Sequence, residues 1–402
     1  MRIAFLANQY LHPDNARSWS GLPYYMKQGL EAAGLDIVTL QPKETRLMQP
    51  WVRFLYWRWL RGKRYLRYCN LRLLKSYGWQ FQRELGAVAV DAIISPSTWF
   101  LAYLQTKLPV FLWTDACFAG MVNFYGSFSN MAPPSIRLGH AIEWRALHRC
   151  TRAIYSSLWA ADLARQCYDM EPEKICVIPF GGNLKDPPTL EEATAFVQRR
   201  ALNECNLLFI GVDWDRKGAD IAVETFEALL RAGVAARLTV VGCTPPRDRR
   251  LPAGVEVIPF IVKETAEGRR RLHGIFQRSH FFIMPSRAEA YGLVFPEANA
   301  FGVPCLAANV GGISSIITNG VNGQLFPREA GGAQYADYIL QTMSNPARYR
   351  ELGVRSAQEA VTRFSWEVAG RRVARLIGEA SASDDPAAAP AGGENKGVFQ
   401  RQ

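Results

Sequence analysis

The sequence has few of the patterns that mark metal centres, secretion or membrane insertion. Its eight cysteines are scattered, and no two stand at the close spacing of a zinc site. Several lie in apolar runs, as small core residues do in a reducing cytosol. No segment reaches the roughly 18 uncharged apolar residues that cross a bilayer. The first residues, MRIAFLANQYLHPDN, do not follow the pattern of a signal peptide. We therefore expect a cytoplasmic protein.

Acidic residues are scarce in one stretch of the chain. The whole sequence has 47 lysines and arginines against 36 acids, a formal net charge of +11. Such a field attracts anions: nucleotides, nucleic acid or acidic lipid headgroups. Between Lys43 and Arg83 there are eleven basic residues and a single acid, Glu44. The positive charge is thus concentrated in the N-terminal half.

The same stretch is rich in aromatic residues between positions 51 and 83. Basic aromatic helices can lie on an anionic membrane surface, at the inner face of the membrane in a cytoplasmic protein. They can also pack on a sheet, with arginine stems covering apolar surface. No nucleic-acid recognition motif is present, so we do not expect nucleic acid as a partner.

Short apolar strands alternate with helical stretches twice along the chain. This alternation predicts an α/β protein with two successive doubly wound parallel sheets and a cleft between them. We expect an N-terminal domain over residues 1–182, a C-terminal domain over 183–365 and a disordered tail over 381–402. The linker between the domains is Asn183–Thr189, which contains two prolines. The predicted strands are Ile3–Ala7, Asp36–Leu40, Ala92–Ser95, Val110–Trp113, Ala153–Ser156, Leu207–Ile210, Leu238–Val241, Val255–Pro259, Phe281–Met284 and Cys305–Ala307.

The most informative segment is PSRAEAYGLVFPEANAFGVP, residues 285–304. A strand ends at its start, a turn follows, and a helix begins near Leu293. The first N–H groups of a helix have no internal partner and can hold a phosphate, and Gly292 lets the backbone approach it closely. Glu289 and Glu297 bracket the turn. Carboxylates accept hydrogen bonds from sugar hydroxyls, so one acid can hold a transferred sugar and the other a ribose.

This frame resembles the family 4 glycosyltransferases. The resemblance includes Glu289 and Glu297 with seven residues between them, continues through GGISSIITNGVNGQLF at 311–326, and covers FSWE at 364–367. It implies the GT-B fold, with two Rossmann-like domains facing a central cleft. It also implies retaining transfer of a hexose-type sugar from a UDP- or GDP-linked donor without a metal or other cofactor. A last helix, about 366–378, would pack back on the N-terminal domain.

The resemblance implies a role for each residue of the turn. Glu289 would contact the donor sugar near the reacting carbon, and Glu297 would bind the ribose hydroxyls. The backbone at Gly292, Leu293 and Val294 would hold the diphosphate. These roles are coherent because fixed N–H groups aimed at a leaving diphosphate lower the barrier.

Two further positions carry over, and one departs from the family. Lys217, in DWDRKGAD, matches a lysine that binds the diphosphate, and Gly21, in WSGLP, matches a glycine near the phosphates. The family usually has an arginine where Val212 stands. We expect Arg216 to supply that charge as a donor-binding residue.

Other departures concern the sugar and the acceptor. The family often has a histidine where the strand VFLWTDA ends in Asp115, and a glutamate where Ser315 stands. Asp115 is either a catalytic residue that accepts from a sugar hydroxyl or a cap or turn residue. Asp213 and Asp215 mimic a metal motif of another glycosyltransferase fold, but an acidic pair in a loop is usually solvated or a helix cap.

Three functions remain open from the sequence. The first is a retaining glycosyltransferase acting on an unknown acceptor: a glycan, a lipid or a small molecule. The second is a catalytically weak nucleotide-sugar-binding partner protein, suggested by the replaced family residues. The third is a membrane-surface protein, including a glycosyltransferase that acts on a lipid acceptor, suggested by the basic segment 51–83.

Overall fold

The computed structural model describes residues 1–43, 62–66 and 70–383, with side chains as far as residue 380. Two predictions fall partly outside these ranges. Residues 51–61 and 67–69 of the basic aromatic segment lie outside the described residues, and so does the predicted disordered tail from residue 384 onwards.

A first sheet of six parallel strands occupies the N-terminal half of the described chain, in the order β2-β1-β3-β4-β5-β6. Each strand is a short apolar run, and the two central strands β3 and β4 are buried along their whole length. Such runs are typical of parallel strands that are covered on both faces. The strands are β1 (Arg2–Leu6), β2 (Asp36–Leu40), β3 (Ala92–Ser95), β4 (Val110–Thr114), β5 (Arg152–Tyr155) and β6 (Ile175–Val177).

A second six-stranded parallel sheet follows in the described C-terminal half, in the order β12-β11-β10-β7-β8-β9. Two of its inner strands, β10 and β11, are again buried throughout. The two sheets confirm the predicted α/β architecture of two doubly wound halves. The strands are β7 (Cys205–Ile210), β8 (Ala236–Val241), β9 (Val255–Ile258), β10 (Phe281–Met284), β11 (Cys305–Ala308) and β12 (Gly323–Phe326).

Helices connect the strands and cover the sheets. In Ala219–Arg231, buried residues recur every three or four positions, which gives the helix one apolar face for the sheet. The α-helices in the described residues are α1 (Leu22–Ala32), α2 (Leu71–Leu85), α3 (Thr98–Leu101), α4 (Phe118–Met121), α5 (Pro133–Leu147), α6 (Leu158–Tyr168), α7 (Leu190–Arg199), α8 (Trp214–Lys217), α9 (Ala219–Arg231), α10 (Ala266–Arg278), α11 (Val294–Ala300), α12 (Gly332–Met343), α13 (Pro346–Thr362) and α14 (Trp366–Ser383).

The strand predictions were correct in the sheet centres and incomplete at the edges. Asp36–Leu40, Ala92–Ser95 and Phe281–Met284 have the predicted bounds, and the other predicted strands shift by one or two residues. The sequence analysis missed β6 and β12. Both are edge strands. β6 has only three residues, which is short for a strand signal, and β12 begins with a glycine and a glutamine, so it forms no clear apolar run.

One hydrophobic core joins the two halves. It contains Trp113 of β4, Phe180, Tyr291 and Trp366 of α14, together with the apolar residues of both sheets. α14 crosses back and packs on α1. Gly29 and Gly370 meet so closely that a Cβ at Gly370 would collide with the Gly29 carbonyl. The predicted domain boundaries, after residues 182 and 365, remain predictions.

The described residues also bear on the basic segment and the cysteines. α2 buries Leu74, Tyr77 and Phe81 and leaves Trp79 exposed, with Arg83 stacked on its ring. No helix in the described part of the chain combines the length and apolarity of a membrane span. The seven cysteines within the described ranges are free.

Candidate functional site

A cavity of about 920 Å³ lies between the two sheets. It opens where parallel strands of both halves end: Asp115 follows β4, Gly211 follows β7, and Glu289 lies in the loop after β10. Ligands of such sheets bind at the carboxyl ends of the strands. This cavity is therefore the candidate site, and it brings together most of the residues proposed from the sequence.

The Glu289 carboxylate is the electrostatic centre of the cavity. Lys217 Nζ, at the end of α8, forms an ion pair with Glu289 Oε2. Arg216 Nη1 lies 3.9 Å from the same oxygen and donates to the Ala288 carbonyl at 3.0 Å. The Glu289 side chain is only 9% exposed, and a buried carboxylate without paired cations would be costly. The loops after β7 and β10 thus form one charged unit.

Tyr125 completes this unit from the N-terminal half. Its hydroxyl donates to Glu289 Oε1 at 3.4 Å and accepts from the Ala290 N–H at 2.6 Å. The Arg216 guanidinium lies over the Tyr125 ring, 5.1 Å from the centroid. Burial, with a smaller contribution from the Glu289 charge, raises the pKa of the Tyr125 hydroxyl, so it stays a neutral donor. Tyr125 was not predicted from the sequence, because a lone tyrosine in a loop has no distinguishing pattern.

Glu297 lines the same cavity and has its own cation. Lys263 Nζ is 3.4 Å from Glu297 Oε1, and the Asn183 backbone N–H donates to the carboxylate. Burial raises the pKa of Glu297, while the Lys263 charge opposes that shift. Lys263 was not predicted, because its loop follows an edge strand far from the motif in sequence.

Asn183 ties the two halves together behind Glu297. Its Nδ2 donates to the Ser20 carbonyl at 2.9 Å, and its Oδ1 accepts from Trp366 Nε1 at 2.9 Å. The Lys263 ammonium donates to the backbone carbonyl of Asn183 at 3.4 Å. Predicted only as the first residue of a linker, Asn183 instead connects the Ser20 loop, α14 and the Glu297 pocket.

The predicted phosphate turn borders the cavity. Gly292, Leu293 and Val294 all line it, beside Glu289 and Lys217. Gly292 has φ +101°, and a Cβ there would lie 2.7 Å from the Phe295 ring. Only glycine fits this position without displacing the ring. The helix that follows has seven residues, Val294–Ala300.

The predicted glycine loop of the N-terminal half faces the same cavity. Gly21 has φ +85°, and a Cβ on it would lie 2.8 Å from the Ala16 carbonyl oxygen. Its neighbours Ser20 and Leu22 line the cavity, whereas Gly21 itself is buried beneath them. Trp19 also lines the cavity, and its backbone is left-handed, with φ +43°.

Asp115 stands at the N-terminal wall of the cavity, opposite the Glu289 loop. Burial raises the pKa of its carboxyl to about 6, and the negative charge of Glu289 adds to the shift. A hydrogen bond from its own backbone N–H acts in the opposite direction. Asp115 is therefore ionised above about pH 6, when it can accept a hydrogen bond from a hydroxyl.

The positions that depart from the family have defined surroundings. Val212 is 74% exposed at the cavity rim, whereas Arg216 points inward, towards Glu289. Ser315 Oγ accepts from the Leu158 N–H at 2.9 Å, joining the two halves. Asp213 caps α8 by accepting from the Arg216 N–H at 3.0 Å. Within the described residues, no group of three or more His, Cys, Asp or Glu is arranged to hold a metal ion.

Comparisons with known proteins agree with this geometry. Residues 204–345 match the family model described as Glycosyl transferases group 1. D-inositol 3-phosphate glycosyltransferase of Nocardia farcinica is 30% identical over 222 residues, or 51% of this chain and 48% of that protein. The chain spans about half the length of the curated relatives that it matches.

Solved structures resemble the whole fold. Sucrose-phosphate synthase from Thermosynechococcus elongatus matches with a TM-score of 0.68 and 18% identity, over 96% of this chain and 100% of that one. HepE from Anabaena, solved in complex with UDP, matches with a TM-score of 0.60 and 15% identity, over 94% and 100%. The chain therefore has the GT-B fold, and residues 204–345, which include Lys217, Glu289 and Glu297, match a group 1 glycosyltransferase domain.

Proposed function

We propose that this protein is a retaining glycosyltransferase that moves a hexose-type sugar from a UDP- or GDP-linked donor to a hydroxyl acceptor. One observation carries the proposal. A single cavity holds two cations beside one buried carboxylate, Glu289, and a second buried carboxylate, Glu297, on the same wall. A nucleotide-diphosphate sugar needs both features, because it combines an anionic diphosphate with two sets of hydroxyls.

The diphosphate binds next to Lys217 and Arg216. Both side chains line the cavity together with the backbone of Gly292, Leu293 and Val294. The diphosphate gives Lys217 a second anionic partner. As the sugar leaves, negative charge grows on the diphosphate, and fixed cations and N–H groups stabilise it.

The two carboxylates divide the hydroxyls of the donor between them. Glu289 accepts hydrogen bonds from the transferred sugar, and Tyr125 fixes the position of its carboxylate. Glu297 accepts from the ribose hydroxyls, with Lys263 balancing its charge. Hydrogen bonds to charged groups stabilise a complex more than neutral ones do.

The transfer step makes one bond and breaks one. The acceptor oxygen forms a bond to the anomeric carbon, and the bond from that carbon to the diphosphate oxygen breaks. Retention places the acceptor on the same face as the leaving group, so the departing diphosphate oxygen takes the hydroxyl proton. Asp115 accepts a hydrogen bond from a hydroxyl on the N-terminal side of the cavity and orients that hydroxyl.

The similar proteins support the choice of donor and leave the acceptor open. The curated relatives are named as inositol-phosphate glycosyltransferases, and one protein of the same fold was solved with UDP. We therefore take UDP-sugars as the first donors to test. Catalysis without a metal, a cytoplasmic location and contact of segment 51–83 with an anionic membrane remain predictions.

Release of nucleoside diphosphate tests the proposal. UDP-glucose, UDP-N-acetylglucosamine and GDP-mannose are each incubated with the protein, and free UDP or GDP is measured with and without candidate acceptors. We expect release from at least one donor, and loss of release in Glu289→Ala. Glu359→Ala is the matched control, since Glu359 also pairs with an arginine but lies outside the cavity.

Two results would contradict the proposal. The first is full activity in Glu289→Ala, with circular dichroism showing that both variants are folded. The second is tight nucleotide binding without any release, which identifies a binding protein. Proton NMR of the product separately tests retention, because the anomeric configuration of donor and product must agree.

A further inference from the structure

A second cavity adjoins the donor cavity on the N-terminal half. It has a volume of about 380 Å³ and lies at the carboxyl ends of β3 and β4. The two cavities share Trp19, Asp115 and Met121 in their walls. A group that fills the second cavity therefore meets the donor at Asp115.

The walls of this second cavity are mostly apolar and aromatic. A pocket of this size and lining suits a compact organic molecule. Among the described residues that line it there is no lysine or arginine, whereas two acids, Asp115 and Glu143, are present. Such a lining offers no cation to a phosphate group, and the Asp115 carboxylate repels one. The larger apolar side chains are Leu11, Trp19, Trp99, Phe118, Met121 and Phe128.

Glu143 supplies an unpaired polar atom in this wall. The side chain belongs to α5 and is buried, with 3% exposure. Thr98 Oγ1 donates to its Oε2 at 2.6 Å, and the Phe118 backbone N–H also faces the carboxyl group. Oε1 itself makes no hydrogen bond of good geometry among the described residues. Burial raises the pKa of Glu143 to about 7, although the hydrogen bonds from Thr98 and Phe118 oppose the shift, so near neutral pH the carboxyl is partly protonated and can then donate. A buried polar atom without a partner favours a ligand that supplies one.

Trp19 separates the two cavities under backbone strain. It has φ +43° and ψ +54°, and Ser20 beside it is also left-handed. The loop is held by Ser18, whose hydroxyl accepts from the His12 N–H at 3.0 Å. Bulky residues rarely adopt this conformation, and strained residues cluster at ligand sites. Trp19 lies at the junction and lines both cavities.

We propose that the second cavity holds the acceptor, and that the acceptor is an uncharged alcohol carried on an aromatic ring. The inference rests on the proposed glycosyltransferase function. The ring packs between Trp19, Trp99 and Phe118, and its hydroxyl reaches the donor beside Asp115. In the transfer step the hydroxyl oxygen bonds to the anomeric carbon, the diphosphate leaves, and the diphosphate takes the proton.

A panel of acceptors of similar size tests this inference. The acceptors are 4-hydroxybenzyl alcohol, 2-naphthol, n-octanol, myo-inositol and myo-inositol 1-phosphate, each with the donor that the release assay identifies. We expect glycosylation of the aromatic alcohols with a kcat/KM at least tenfold above that for the other three. Trp99→Ala should raise the KM for the aromatic alcohol at least tenfold. Trp79→Ala, which removes an exposed tryptophan outside both cavities, should leave it unchanged.

The outcomes separate this inference from the function on which it rests. Preferred transfer to the inositols or to octanol, or an unchanged KM in Trp99→Ala, would overturn the aromatic acceptor and leave the glycosyltransferase standing. Hydrolysis of the donor, with the sugar transferred to water and to neither aromatic alcohol, would also overturn it. Absence of release from every donor, with or without acceptor, would instead remove the proposed function.

Discussion

Lys217 and Glu289 form an ion pair across the centre of the cavity, with side chains that are 12% and 9% exposed. The pair joins the loop after β7 to the loop after β10. Removing one partner of a buried pair leaves an uncompensated charge, which is costly. In the ligand-free protein, each side chain therefore holds the other in position. A bound diphosphate gives the lysine a second anionic partner.

Replacement of Lys217 should reduce turnover strongly. We expect Lys217→Met to lower kcat/KM by about 10²–10³, because a fixed cation facing the leaving diphosphate is lost. Steady-state release of nucleoside diphosphate measures the effect. Lys174→Met is the control, since Lys174 forms only an exposed ion pair with Glu171. A change below threefold in Lys217→Met would show that the lysine does not contact the diphosphate.

Glu297 should recognise the ribose and not the diphosphate. We expect Glu297→Gln to weaken binding of the nucleoside diphosphate roughly 10- to 100-fold, the usual range for a hydrogen bond to a charged group. The 2′,3′-dideoxy nucleotide should bind the wild type weakly, and the substitution should hardly change its affinity. Calorimetric titration of both nucleotides into the wild type and into Glu297→Gln gives the four affinities to compare. Equal losses for the two nucleotides would assign Glu297 a structural role.

Activity should fall in acid as Asp115 becomes protonated. Its pKa is raised to about 6, so the carboxylate is present above that pH and is lost below it. We expect kcat/KM to decrease about tenfold per pH unit below pH 6. In Asp115→Asn this acid limb should disappear, and the rate should be low at every pH. A limb near pH 6 that persists in Asp115→Asn would assign the titration to another group.

Glu143 should make the fold less stable as the pH rises. Its pKa is raised to about 7 in the folded protein from 4.5, so the native state holds the proton more tightly. The free energy of unfolding should therefore fall between about pH 4.5 and pH 7. The full shift corresponds to about 3 kcal/mol. Glu143→Gln removes this dependence.

Thermal unfolding at pH 5 and pH 8 measures the effect of Glu143. The melting temperature of Glu143→Gln should exceed that of the wild type at pH 8 by more than it does at pH 5. Glu171→Gln, at an exposed position, serves as the control. An identical difference at the two pH values would mean that Glu143 is ionised in the fold at both.

The centres of the two sheets were predictable because they are buried on both faces. A run such as Phe281–Met284 has no polar position, and the strand has the predicted bounds. β6 was missed because it has only three residues, and β12 because it begins with a glycine and a glutamine. The start of α14 at Trp366 was predicted from the family resemblance, not from periodicity.

The candidate site was predictable only where a local motif carries it. Glu289, Glu297 and the turn at Gly292 lie within nine residues and follow one pattern. Tyr125 lies 164 positions before Glu289, and their contact exists only because two sheets face each other. Lys263 and Asn183 reach Glu297 in the same way, from loops that no single-sequence pattern connects.

Nucleotide binding tests the central claim most directly, because the cavity is proposed to hold a nucleoside diphosphate. Calorimetric titration compares UDP with UMP, and GDP with GMP, in the wild type and in Lys217→Met. For at least one base, we expect the diphosphate to bind the wild type at least tenfold more tightly than the monophosphate, and Lys217→Met to lose most of this difference. Equal affinity for mono- and diphosphate, or no binding of any of the four nucleotides, would contradict the account.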